Sequence, residues 1–303
     1  MQACISLVIP TYNRLWALSR VLRQFYDEVL IGEIIVVDDG SIDDTKEWLN
    51  QAATVQPKLK PVFHSTNKGL PAARNTGIQA AKYDYIMFWD DDLLLHPKNG
   101  VQILFEELQE HNGDIIAPAF YGREGYPIPS LCGPESISPN VLLNRFLLMR
   151  KPNKKGVKLC PPRTFQSNVI GSTMLFQRTI LEGLNYDTGF RSSAFREETD
   201  VQLSILRRGG KLLACPWVWG LDLKRPPNQD GGCRSHGVLL NYETVACRNN
   251  WRMLKRHHDT IRDVLGVKYP IHILQIIFVL YRFGYYLPRK IVGKLLRKIG
   301  LRK

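Results

Sequence analysis

Short β-branched runs ending in turn residues recur along this chain, separated by stretches with helical spacing, and that alternation constrains the fold more than any other feature. "CISLVIP" and "EIIVVDDG" have the composition of buried parallel strands. Between them "LWALSRVLRQFYDEVL" repeats its apolar residues at helical intervals. The order continues through "TKEWLNQAA" (helix), "KPVFHS" (strand), "PAARNTGIQAAK" (helix), "YDYIMFW" (strand), "GVQILFEELQEH" (helix) and "DIIAPAFYG" (strand). Strand and helix alternate over the first 120 residues, which predicts right-handed crossovers and an α/β fold. Its sheet is expected to be open and mostly parallel, with helices on both faces.

Residues 122–167 differ, with seven prolines and one helix-like patch, "NVLLNRFLLMR"; they are expected to form a long surface connection beside a cleft. Regular patterning resumes with "NVIGSTMLFQR" (strand), "TDVQLSILRRGG" (helix) and "KLLACPWVWGLDL" (strand). The 44% apolar and 23% charged composition excludes a disordered chain. Charge is unevenly placed. From Arg248 to Lys303 there are fourteen Lys/Arg and two acids, a net of +12 out of +13 for all 303 residues. Six scattered cysteines without a CxxC pair argue against a zinc site and suit reduced thiols. "MQACISLVIPTYNR" has neither a basic leader nor a cleavage site, so no signal peptide is expected.

In an open α/β sheet, ligands bind beyond the carboxyl ends of the strands. There the second strand pattern ends in Asp38-Asp39 and the fourth in Asp90-Asp91-Asp92. Carboxylates so close together imply a cation, and oxygen-only ligands favour Mg2+ or Mn2+, although a solvated acidic turn has the same composition. "NKGLPAARNTG" puts Lys68 and Gly69 before a helix and Arg74 in its first turns, an arrangement suited to a diphosphate.

"VIPTYNR", "VVDDGSIDDT", "NKGLPAARNTG" and "FWDDD", in this order and spacing, resemble the nucleotide-binding half of a family 2 glycosyltransferase of GT-A fold. The resemblance resumes at "FREETDVQLSILRRGGKLL" and spans roughly residues 3–215. It implies that Pro10 and Tyr12 lie against the nucleotide base and that Asp39 accepts a hydrogen bond from the base or ribose. Arg74 would sit near the base or diphosphate. Asp92 would ligate the metal and Asp90 would approach the ribose and metal. Asp222, near the end of a later strand, or His236 further on, would add a metal contact. Glu198 matches the catalytic base position, where an Asp is commoner, and Asp200 is the reserve candidate. The implied reaction is a single displacement from a nucleotide-sugar, expected to be UDP-linked, to a glycan or lipid-linked acceptor. A "DGG" loop at 230–232 is expected to close over the donor.

Two rivals fit less well. A sugar-phosphate nucleotidyltransferase would carry a Gly-rich, Arg-containing loop where this chain has "PTYNR", and a receiver-type phosphoacceptor would be shorter. A degenerate transferase serving as a membrane scaffold stays open because of the Glu at the base position. Residues 1–240 are read as the transferase domain (1–121 nucleotide-binding, 122–240 acceptor side). Residues 241–303 are read as a helical, basic extension. In that extension, "KYPIHILQIIFVLYRFGYYLPRK" is too interrupted by polar residues to span a bilayer, and "RKIVGKLLRKIG" is amphipathic. Both suit an anionic membrane surface on the cytoplasmic side, or a helix docked on the protein's own core with a solvated basic face, better than nucleic acid, for which no binding motif is present.

Overall fold

A computed structural model describes residues 4–123, 164–168, 170–190, 194–224, 239–288 and 291–292. The patch "NVLLNRFLLMR", the "DGG" loop, His236 and most of "RKIVGKLLRKIG" lie outside the described residues. The first half runs β1 (Ile5–Thr11), α1 (Leu15–Leu22), β2 (Ile31–Asp38), α2 (Thr45–Val55), β3 (Leu59–Phe63), α3 (Leu70–Ala80) and β4 (Tyr85–Phe88). Then come β5 (Leu93–His96), α4 (Gly100–Glu110), β6 (Ile115–Arg123), β7 (Phe165–Gln166), β8 (Met174–Gln177), α5 (Glu197–Arg207) and β9 (Leu212–Asp222). The chain continues with α6 (Leu239–Asp263), α7 (Ile271–Val279) and a π-helical segment, Leu280–Tyr286.

All nine described strands belong to one sheet, ordered β3-β2-β1-β4-β8-β6-β9-β5, with β7 also paired to β9. The β3-β2-β1-β4 half is parallel, as crossover helices require. Beyond β4 the sheet is mixed: β8 is antiparallel to both β4 and β6, and β9 is parallel to β6 but antiparallel to β5 and β7.

The apolar runs are continuous because both sheet faces are covered. Side chains alternate between them with the period of two that a strand imposes. Val8, Ile35, Val37, Ile86 and Phe88 enter one core, which also holds Val201, Met253, Leu254 and Leu274 from the later helices. Leu7, Ile9, Ile34, Val36 and Met87 enter the other, under Leu18, Leu49 and Leu104 of α1, α2 and α4. Helix α6 and the start of α7 therefore share a core with the sheet.

Candidate active site

The acidic run 90–92 is a turn: β4 stops at Phe88 and β5 starts at Leu93. Three adjacent carboxylates repel one another, and the turn divides them. Asp91 points inward and is buried, accepting from Thr11 Oγ1 at 2.7 Å and from the Arg14 guanidinium. Asp90 and Asp92 face outward with side chains 32% and 39% exposed. Arg14 reaches Asp92 Oδ2 at 2.9 Å, so one cation from the β1–α1 loop serves two acids. Arg74 on α3 lies 3.5 Å from Asp90 Oδ1, and Ser172 Oγ donates to Asp90 Oδ2 at 3.3 Å.

These contacts correct one expectation. The run does not depend on a bound ion alone for its counter-charge, because two arginines of the chain supply part of it. The compensation is uneven. Both contacts to Asp90 are long, and partial enclosure in the crevice, with Asp92 alongside, raises its carboxyl against the pull of Arg74. Burial also pushes Asp91 up to about 7, against Arg14.

Asp39 follows the end of β2. Its Oδ1 accepts from Lys68 N at 2.9 Å and contacts His64 Nδ1 at 2.7 Å, while Oδ2 accepts from Gly69 N at 2.8 Å. The expected ligand acceptor is thus first of all the fastener of the loop that starts α3. Gly40 makes that possible. Its φ is +76°, and a Cβ there would stand 2.6 Å from the Thr66 carbonyl carbon. Lys68 is exposed on this loop, Pro10 is buried in β1, and Tyr12 is half-buried just past the strand.

Arg74 joins the two halves of the site. It is 1% exposed, 2.8 Å from Glu197 Oε1, and stacked against Phe88 and Tyr186 at 5.5 and 5.2 Å. Burial pushes the Glu197 carboxyl well above the ordinary range despite Arg74. Glu198, next along in the first turn of α5, is only half-buried, and its charge also acts on Arg74.

The reserve candidate, Asp200, is engaged by a different element. Its carboxylate is 2.9 Å from His257 Nε2 and 3.2 Å from Arg256 Nε, both on α6, and the residue is 1% exposed. One turn of helix is 3.6 residues, so an acid two positions after Glu198 faces another side of α5. Asp222 ends β9 opposite Leu93, and Leu223 N donates to the Asp92 carbonyl at 2.9 Å, so the backbone brings 222 beside the acidic turn.

Among the described residues no three His, Cys, Asp or Glu side chains form a ready metal cage. The donor set still fits an ion that takes most of its shell from phosphate and water. Asp90 and Asp92 are partly exposed oxygen donors, and both contacts to Asp90 are long. Glu197 Oε2, buried beside Arg74, has no hydrogen-bond partner, so the crevice has unmet polar capacity.

Residues 6–132 match the model of glycosyl transferase family 2. That match covers 127 of the 303 residues. The chain is 35% identical over 129 residues to the glycosyltransferase GlyG of Streptococcus pneumoniae, covering 41% of this chain and 41% of GlyG. The chain thus spans less than half the length of that curated relative. At the level of fold the likeness runs further. S. aureus TarS in complex with UDP-GlcNAc matches with a TM-score of 0.60 at 16% identity, over 94% of this chain and 73% of that one. The mannosyltransferase PcManGT of Pyrobaculum calidifontis, in complex with GDP-Man and Mn2+, matches with a TM-score of 0.61 at 14% identity, over 99% and 80%. The family 2 segment is therefore the first half of a GT-A fold.

Sequence reasoning named Asp90, Asp92, Arg74 and Glu198, but gave no role to Arg14, Ser172 or the Arg74–Glu197 pair. Arg14 and Asp91 are 77 positions apart, and Arg74 and Glu197 are 123 apart. No local pattern announces such pairings.

Proposed function

We propose that this protein is an inverting glycosyltransferase. It moves a sugar from a nucleotide donor, expected to be UDP-linked, to a glycan or lipid-linked acceptor. The observation that carries this reading is the Arg74 bridge, which ties donor-side Asp90 to Glu197, the neighbour of Glu198. Residues 1–240 form the transfer unit in this reading. Pro10 and Tyr12 hold the base, and the remaining acceptor capacity of Asp39 Oδ2 takes a hydrogen bond from base or ribose. Lys68 and the start of α3 face the diphosphate. Asp92 and Asp90, with Asp222 alongside, would hold Mn2+ or Mg2+, which when bound supplies Lewis-acid neutralisation of the departing diphosphate.

Glu198 takes the proton of the acceptor hydroxyl as that oxygen bonds to the anomeric carbon and the carbon–diphosphate bond breaks. Its partial exposure at the crevice supports this role over Asp200. No described helix is long and apolar enough to cross a membrane. The basic segment 268–303 is assigned to the cytoplasmic surface of an anionic membrane.

A thermal-shift screen of nucleotide-sugars with and without Mn2+ tests the reading. One donor should raise Tm, more so with Mn2+, and Asp92→Ala should remove the Mn2+-dependent part. No shift with any nucleotide-sugar would overturn donor binding. An unchanged Mn2+ response in Asp92→Ala would overturn the metal assignment.

A further inference from the structure

The segment 271–280 is apolar on nearly every side, and part of that apolar surface is left uncovered. Ile273, Ile276, Ile277 and Leu280 fall at i, i+3, i+4 and i+7, the spacing of a stripe that normally faces a core. Here the stripe faces outward, with these residues 43%, 52%, 38% and 65% exposed. Two of the polar groups that interrupt the apolar run, Gln275 and Arg282, point inward. Gln275 accepts from Asn250 Nδ2 at 2.9 Å and donates to the Cys247 carbonyl at 3.0 Å. Arg282 forms a buried pair with Glu243. Leu274 and Phe278 complete the docked face, and Phe278 packs against Phe195 with ring centroids 5.8 Å apart. The helix is thus fastened to α6 by specific polar bonds while its outer face is apolar.

We propose that the outer face of α7 is the surface by which this protein docks on an anionic lipid bilayer. The occupant is chosen by charge. Arg248, Lys255 and Lys268 are exposed around the stripe, and the chain from Arg248 onward carries +12. Its two acids, Asp259 and Asp263, both pair with Arg262. A shallow groove of about 420 Å³ between α6 and α7, lined by Arg248, Trp251, His272 and Ile276, adds an aromatic and cationic rim of the kind that sits at headgroup depth. Inside the docked helix, Phe278 and Arg282 meet Phe195 and Arg196, which lead directly into α5 and Glu198. A bilayer on the outer face would lie about one helix diameter, ~10 Å, from the elements that carry the proposed base. This deepens the membrane part of the proposed function and does not depend on the transfer chemistry.

The test is flotation of the full chain with phosphatidylcholine vesicles, alone or with about 30 mol% phosphatidylglycerol, at low and high salt. Wild type should float with the anionic vesicles, less so at high salt. The pair Ile276→Glu/Ile277→Glu should lose on the order of tenfold or more in partitioning. Val55→Glu, which alters an exposed apolar residue on α2, should float like wild type. If the glutamate pair does not fold, Ile276→Ser/Ile277→Ser should still weaken flotation, and unchanged flotation of that variant overturns the proposal. So does a wild type that fails to float, or one that sediments as a dimer dissociated by the glutamate pair. The same variants are assayed for the nucleotide-sugar thermal shift. Lost flotation with retained donor shift separates this surface from the proposed chemistry, whereas an absent donor shift with normal flotation overturns only the latter.

Discussion

Arg74 lies among Phe88, Tyr186 and Glu197 with no route to bulk water, so its charge must be answered by the protein. Removing one partner of a buried pair costs more than the pair contributes, because the other charge is stranded. Glu197→Ala should lower unfolding free energy by ~3–5 kcal/mol in urea titration, far more than an exposed acid would. Glu198, half-buried beside it, should behave oppositely. Glu198→Gln should unfold like wild type and keep its donor-induced Tm shift, while sugar transfer falls ~10²–10⁴-fold. Full turnover by that variant would clear Glu198 of the base role. The contrast between two adjacent glutamates was half legible in the sequence. Residue type and place at a helix start could be read there, but which carboxylate is buried depends on Arg74, 123 positions earlier.

At the scale of elements, the β2–α2 turn and the loop into α3 are held together by one carboxylate and one glycine. Asp39 can receive the Lys68 and Gly69 amides only if the chain at residue 40 passes against the backbone of 66–67. Gly40→Ala combines a positive φ with a Cβ 2.6 Å from backbone that has no flexible end to move. It should destabilise by roughly 1–3 kcal/mol and weaken nucleotide-sugar binding along with it, measured by urea unfolding and donor thermal shift. The "DDG" signature was readable as turn chemistry at a strand end. Its partner loop was not, since β2 and α3 meet only through sheet order. Strand β5 was missed for a similar reason: four residues after an acidic turn gain their strand identity from antiparallel pairing to β9.

For the whole molecule, the placement of α6 and α7 matters most. α6 is fastened from two sides, by Asp200 to His257 and Arg256, and by Asp187 to Arg252 and Arg256. Burial alone would raise the Asp187 carboxyl, but hydrogen bonds from Arg252 and Gly189 and the charge of Arg256 hold it below the ordinary range. A carboxyl whose folded pKa lies below its unfolded value stabilises the fold above the unfolded value, and that contribution is lost as pH falls through the folded one. Asp187→Asn should therefore be less stable than wild type near neutrality. The difference should shrink from about pH 4 downward in urea unfolding followed across pH.

The sequence by itself determined the alternating α/β order, the four strand-end motifs and the family resemblance. All of these rest on local periodicity or on residues close together in the chain. The tertiary structure alone decided that the acidic run is divided among inward and outward directions with Arg14 and Arg74 as counter-ions. It also turned Asp200 away toward α6 and set the apolar stripe of α7 facing outward. Each depends on charges or surfaces brought together from distant segments, where burial and not sequence pattern selects the partner.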